Sequence, residues 1–221
     1  MLDLSGYTPE ELKELQKQLA ELTKAEVKPR KPKKLPKIIK PSDVEKLLAV
    51  INTDTDRGIR QMAIVQTFLK TAIRVQELCD LTLADVDLVK GSIYVQLGKG
   101  SKDRHVSFGP ELLKWLKAWI EIRPESKWFF CSRKGTQMFQ RNVRETCYML
   151  SKEAGVFIQD GKEKHLVSCH KLRHTCATNW LQDGLTLIEI QQLLGHESLA
   201  TTERYLHCDN IALDKKIKAL G

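Results

Sequence analysis

Four short stretches hold the side chains with chemical reach. Arg74 lies in TAIRVQELCDL, with Glu77 one helical turn further on. Lys99 lies in GKGSKDR, with Lys102 three residues later. His170 and Arg173 share CHKLRHTCATNWL, His196 follows the glycine of LLGHESLATTERYLH, and Tyr205 comes nine residues after it. An arginine presents a planar fork that meets phosphate oxygens two at a time and stays charged throughout. A histidine donates or moves a proton near neutrality. A tyrosine hydroxyl can attack an electrophile and later leave.

Taken singly, each has a plain structural use. Arg74 can be a surface arginine paired with Glu77. His170 and Arg173, three residues apart, share one helix face that can simply be solvated. His196 after Gly195 can cap a helix C-terminus, held by the dipole. Tyr205, near Leu199 and Leu206, can be a half-buried core tyrosine. A metal is a further possibility, because His165, Cys169, His170, His174, Cys176, His207 and Cys208 crowd one region. His170 and His174 have the spacing of a helical zinc pair, yet no Cys-x-x-Cys and no HEXXH glutamate accompany them. No metal is expected, and His174 is expected to pack or cap.

The elements that must carry these residues can be read from periodicity. Thr8-x-x-Glu11 opens a helix with a capping box, and Leu12, Leu15, Leu19 and Leu22 form its apolar stripe. Ser42-x-x-Glu45 is expected to cap a second helix. A third, over about 57–72, presents Ile59, Met62, Ala63, Val65, Gln66 and Leu69 on one face, and a short helix covers 74–81. The period then drops to two. Ile93, Val95 and Leu97 alternate with polar residues, 105–108 returns, and Gly98–Asp103 is the turn. A helix spans 110–122, and Trp128-Phe129-Phe130 reads as a third strand. From there helices run to the end, broken at 155–165, Gly184, Gly195 and 208–210, with Thr186-x-x-Glu189 as a cap. The fold class is mainly α with a small antiparallel β-sheet. Residues 1–23 form an N-terminal helix, 24–40 a linker, and 41–221 a catalytic domain with a tail helix from about 209.

Charge is distributed as a stripe. The chain carries +8 overall, residues 1–23 carry −3 and residues 24–40 carry +7. The second segment also holds Pro29, Pro32 and Pro36, with Pro41 just beyond, so it is a semi-extended linker. Lys31, Lys33, Lys34 and Lys37 in it suit a polyanion, since each neutralised phosphate releases condensed counterions. A solvated linker is the plainer use. A hydrophobic content of 42% excludes a disordered chain. No apolar run approaches the ~20 residues of a membrane span, so no membrane partner is expected. The N-terminal 14 residues are acidic and amphipathic, unlike a secretory signal. The six scattered cysteines fit free thiols in a reducing cytoplasm.

In order and spacing, these motifs over residues 35–210 resemble the catalytic domain of the tyrosine recombinases, the phage integrase and Xer family. Ala72, two residues before Arg74, stands where that family usually has glycine. The resemblance implies Arg74, Lys99, His170, Arg173, His196 and Tyr205 as the catalytic set. Tyr205 is then the nucleophile, Lys99 the acid for the leaving oxygen, and Glu77 a residue that orients the helix around Arg74. Lys102 is expected to contact phosphate. It further implies duplex DNA with specific recombination sites as partner, a homotetramer on DNA, accessory DNA-bending proteins, no cofactor, and a cytoplasmic, nucleoid-associated enzyme. A type IB topoisomerase-like relaxing enzyme and a DNA-binding regulator that has lost catalysis are the alternatives. Family members usually carry a DNA-clamping domain before the linker, and residues 1–23 are far too few for one. A short recombinase is therefore expected, like the fimbrial-switch DNA invertases that SRKGTQMFQRNVRE resembles, or else a trimmed clamp ending in the N-terminal helix. The terminal stripe of Ile211, Leu213, Ile217 and Leu220 suits a helix folded on its own core or docked on the next protomer.

Overall fold

A computed structural model describes residues 8–14, 17, 38–96 and 103–195. The chain divides into two compact units, Met1–Lys34 and Leu35–Gly221. In the first unit, residues 9–14 are helical. The expected capping box is present there. The Thr8 amide and hydroxyl each donate to Glu11 at 2.8 Å, and the Glu11 amide returns to the Thr8 hydroxyl. Leu15, Leu19, Leu22, most of the linker, the 98–102 turn and the tail helix lie outside the described residues.

The second unit is built around one central helix. Helix α1, Pro41–Ala49, begins on its proline with Lys40 as cap residue and no side-chain cap. The box expected at Ser42 does not form. Pro41 already has the helical φ and no amide hydrogen to satisfy, so Ser42 is inside the first turn. Helix α2, Asp56–Thr71, is capped by Thr55, whose hydroxyl accepts from the Gly58 amide at 3.0 Å. Gly58 must be glycine, because a Cβ there would lie 1.7 Å from the Asn52 carbonyl oxygen. Instead of one apolar face, α2 is buried without interruption from Gln61 to Leu69. Thr67 and Thr71 make this possible by donating back to the Ala63 and Thr67 carbonyls.

Beyond α2 come helix α3, Val75–Asp80, a 3₁₀ turn at Leu83–Asp85, and strands β1, Val86–Asp87, β2, Ser92–Val95, and β3, Arg104–Ser107. The sheet is antiparallel in the order β1-β2-β3, with Ile93 opposite Val106 and Val95 opposite Arg104. Helix α4, Pro110–Ile122, buries Leu112, Leu116 and Trp119 at helical spacing. The strand expected at 128–130 is absent. Arg123 donates to the carbonyls of Ser126, Trp128 and Phe129, and only single bridges, Thr82 to Trp128 and Cys131 to Gln137, form nearby. Phe129 and Phe130 are buried edge to face, their centroids 5.0 Å apart.

Helix α5, Gln140–Glu153, leads into an unexpected hairpin, β4, Phe157–Asp160, and β5, Glu163–Leu166. Helices α6, Cys169–Gln182, and α7, Leu187–Leu194, complete the described chain. Ser168 caps α6, and the expected Thr186–Glu189 box caps α7. A small second core joins Ala72 to Cys176, Ala177 and Leu181 of α6 and to Ile190 and Leu194 of α7. Cys79, Cys131, Cys147, Cys169 and Cys176 are buried free thiols. Among the described residues, no helix is long and apolar enough to cross a membrane, and no three His, Cys, Asp or Glu residues could hold a metal ion.

Ala72 closes α2 in the left-handed region, at φ 49° and ψ 27°, and is fully buried. It is the only non-glycine residue with positive φ among those described. Ala72→Gly relieves about 1–2 kcal/mol of strain. It also forfeits a buried methyl of about 0.8 kcal/mol and adds unfolded-state entropy of about 0.4–1 kcal/mol. Its stability by urea unfolding should therefore stay within about 1 kcal/mol of the parent. Ala72→Val adds a β-branch in the left-handed region and overfills the second core, and should cost about 3 kcal/mol. A valine variant as stable as the parent would contradict the conformation at this corner.

Candidate active site

The left-handed turn at Ala72 ends α2 and delivers Arg74 to the start of α3 as its cap residue. The Arg74 amide donates to Glu77 Oε2 at 2.6 Å, and its Nη1 donates to Glu77 Oε1 at 2.8 Å. The Glu77 side chain is 6% exposed, whereas that of Arg74 is 39% exposed. Arg104, on β3, meets the same carboxylate with both prongs, Nη1 to Oε1 at 3.0 Å and Nη2 to Oε2 at 2.8 Å. Arg173, on α6, brings its Nη1 to 4.0 Å from Oε2. Four hydrogen bonds thus occupy the four acceptor positions of Glu77. Burial alone would raise this carboxyl, but the hydrogen bonds and charge of Arg104, the Arg74 amide and the Arg173 charge hold it below the ordinary value.

The same three arginines converge on the end of α7. Arg104 Nε donates to the Leu193 carbonyl at 2.7 Å, Arg173 Nη2 to Leu194 at 2.9 Å, and Arg74 Nη2 to Gly195 at 3.0 Å. These are the carbonyls that a helix C-terminus leaves without partners, at the negative end of its dipole. Arg173 also donates to the Ala72 carbonyl, tying α6 to the left-handed corner. Three guanidinium charges against one carboxylate leave a positive surplus.

That surplus faces a cleft of about 470 Å³ whose walls include Arg74, Arg173 and His170, with Arg144 and Tyr148 from α5. His170 is exposed and lies 2.8 Å, nitrogen to nitrogen, from His174, which is buried. The two rings meet edge to face with centroids 4.2 Å apart. His174 packs and orients the ring above it, as its sequence position suggested. Cys169 shares the cleft wall, its sulfur 3.5 Å from that of Cys147. The hydrogen bond from Cys147 lowers the Cys169 thiol, while the Cys147 thiol is raised.

Of the sequence-selected residues, Arg74, Glu77, His170 and Arg173 come together at this corner. Lys99, Lys102, His196 and Tyr205 lie outside the described residues, as do Lys31, Lys33, Lys34 and Lys37. Sequence patterning missed Arg104, Arg144 and Tyr148. The signal for Arg104 is its strand phase, since Arg104 and Val106 point inward while His105 and Ser107 point out. A charged residue in the core phase of a strand needs a buried partner. Arg144 and Tyr148, four residues apart, lie on one stripe of α5.

Residues 37–210 match the model of the phage integrase family. The chain is 35% identical over 186 residues to the tyrosine recombinase XerC of Vibrio vulnificus strain YJ016, across 82% of this chain and 56% of that protein. It therefore spans little more than half the length of that relative. The crystal structure of XerA recombinase superimposes with a TM-score of 0.69 at 31% identity, covering 86% of this chain and 65% of the other. XerH site-specific recombinase in its post-cleavage complex on a palindromic difH substrate gives a TM-score of 0.67 at 28% identity, covering 83% and 53%. The left-handed corner that presents Arg74, the α6 face that presents His170 and Arg173, and the α7 end they hold all fall within the matched span, and the chain belongs to the phage integrase family, the tyrosine recombinases.

Proposed function

We propose that the protein is a site-specific DNA recombinase that cuts and rejoins duplex DNA through a covalent 3′-phosphotyrosine. The observation that carries this reading is the shared carboxylate of Glu77, which sets Arg74 and Arg173 beside one cleft with His170. Two fixed guanidinium forks suit the two non-bridging oxygens of one phosphodiester, where charge builds in the transition state. The Tyr205 hydroxyl forms a bond to phosphorus, and the bond to the 5′ oxygen breaks. Lys99 gives that oxygen its proton, while His170 and His196 hydrogen-bond the phosphate oxygens or take the tyrosine proton. The phosphotyrosine keeps the bond energy, and a second 5′ hydroxyl reverses the step on another strand. Lys102 and the linker lysines lie along phosphates, which position but carry no sequence information. A homotetramer on recombination-site DNA, assisted by accessory DNA-bending proteins in the cytoplasm, completes the reading. Its support is membership of a family whose relative XerH is described in complex with its difH substrate.

Nicked duplexes of random sequence, incubated with the protein and resolved on a denaturing gel, should yield a covalent adduct whose DNA reveals the preferred site. Tyr205→Phe should keep affinity for that duplex and form no adduct. An adduct surviving in the phenylalanine variant would show another nucleophile.

The division of labour between linker and site is open to a paired test. Replacing Lys31, Lys33, Lys34 and Lys37 with Gln should weaken cognate and random duplexes alike. It should also flatten the salt dependence by about 0.9 for each phosphate no longer neutralised. Lys99→Ala should bind normally and cleave slowly, and a 5′-bridging sulfur, a better leaving group, should restore it. Rescue of Lys102→Ala instead would move the acid three residues along the loop.

Glu77 imposes a pH dependence on stability. Its folded pKa lies below the unfolded value of about 4.3. Its contribution is therefore complete above the unfolded pKa and lost as pH falls through the folded one. Glu77→Gln, which uncovers three guanidiniums, should cost about 3–5 kcal/mol at pH 7. The deficit should shrink as pH falls below the unfolded pKa, and vanish once it has passed the lower folded one, where the parent also loses the charge. A pH-independent deficit in urea unfolding would contradict a charge-based role.

A further inference from the structure

Arg104 is the last residue of the GKGSKDR stretch, where the lysines drew the attention, yet its side chain joins the two anchors of the site, the Glu77 carboxylate and the end of α7. That side chain is 7% exposed, and three of its nitrogens are committed. Nη1 and Nη2 hold the two Glu77 oxygens, and Nε holds the Leu193 carbonyl. Each Glu77 oxygen is shared with Arg74, Oε1 with its guanidinium and Oε2 with its amide. Without Arg104 the carboxylate keeps the two hydrogen bonds from Arg74 and the longer 4.0 Å approach of Arg173, and loses the bidentate fork that fixes its plane. At its other end Arg104 fixes the carbonyl that precedes the two gripped by Arg173 and Arg74. Both routes, through the carboxylate and through the end of α7, terminate on the same pair of arginines.

We infer that Arg104 is a positioning residue of the strand-transfer reaction, one that aims Arg74 and Arg173 at the scissile phosphate without touching it. The inference rests on the transesterification reading above. A bidentate fork is needed for this task, because a lysine supplies charge from a single point and cannot hold both carboxylate oxygens in one plane. A buried ion pair that served stability alone would lower the unfolding midpoint and leave the arginines' interaction with the phosphate unchanged.

The substrate separates the two. A methylphosphonate at the scissile position replaces one non-bridging oxygen by methyl and removes the charge that the arginines meet. Strand cleavage by the full chain is measured on the duplex captured by the parent, with either linkage at the scissile position. Arg104→Ala and Arg104→Lys should cleave the phosphodiester about 100-fold more slowly than the parent. Affinity in a Tyr205→Phe background should change by no more than about twofold. On the methylphosphonate the gap to the parent should close to within about threefold, the behaviour expected also of Arg74→Ala. Should the alanine variant fail to fold, the lysine variant carries the comparison, since it retains the charge beside Glu77. Parent-like cleavage of the phosphodiester by either variant overturns the inference, and so does a loss that persists on the methylphosphonate. Relief by a 5′-bridging sulfur but not by the methylphosphonate also overturns it, by assigning the effect to the leaving group. If the parent itself cleaves neither linkage, the recombinase reading falls and this inference with it.

Discussion

One carboxylate governs the site. Glu77 is buried, its four acceptor positions are filled by two arginines, and a third guanidinium stands 4.0 Å away. Three like charges would otherwise repel one another from this corner, and the desolvation of each would be uncompensated. With Glu77 in place they converge from α3, β3 and α6 and leave a net positive charge beside the cleft. The compensation is partial, and the uncompensated part is what a phosphate can use.

The architecture around this carboxylate divides the task. The central helix α2, buried from Gln61 to Leu69, is a rigid reference. Its end at Ala72 turns left-handed so that the chain can reverse into α3 with Arg74 at the bend. Alanine there accepts strain that glycine would avoid, and in return places a methyl among Cys176, Ile190 and Leu194. The second core is thus continuous with the corner that carries Arg74, and packing of α6 against α7 sets where the arginines find their acceptors.

Much of this was legible in the sequence, and the gaps have physical reasons. Arg74, His170 and Arg173 were ambiguous one by one and became visible only as a set, through the order and spacing of motifs that resemble the tyrosine recombinases. The α4 boundaries followed from Pro110 and a clear apolar repeat. The hairpin of β4 and β5 was invisible because Val156, Phe157 and Ile158 are apolar in succession although Phe157 points out, and Gln159, Glu163, Lys164 and His165 are all exposed. The aromatic run at 128–130 carried strand composition, but its carbonyls are claimed by Arg123. Arg104 was overlooked because a charged side chain is ordinarily assigned to solvent, and only its partner in a distant segment makes burial tolerable.

The grip on α7 is made entirely to main-chain oxygens, those of Leu193, Leu194 and Gly195. A peptide carbonyl is present whatever side chain it accompanies. Exposed positions of α7 such as Ile188 and Gln192 can therefore drift without removing a single acceptor. Length is another matter. One residue inserted or deleted in α7 would rotate its last turn by about 100° and withdraw all three oxygens from all three guanidiniums together. The segment is permissive to substitution and intolerant of insertion or deletion, with Gly195 excepted because its left-handed φ of 61° aims the last carbonyl.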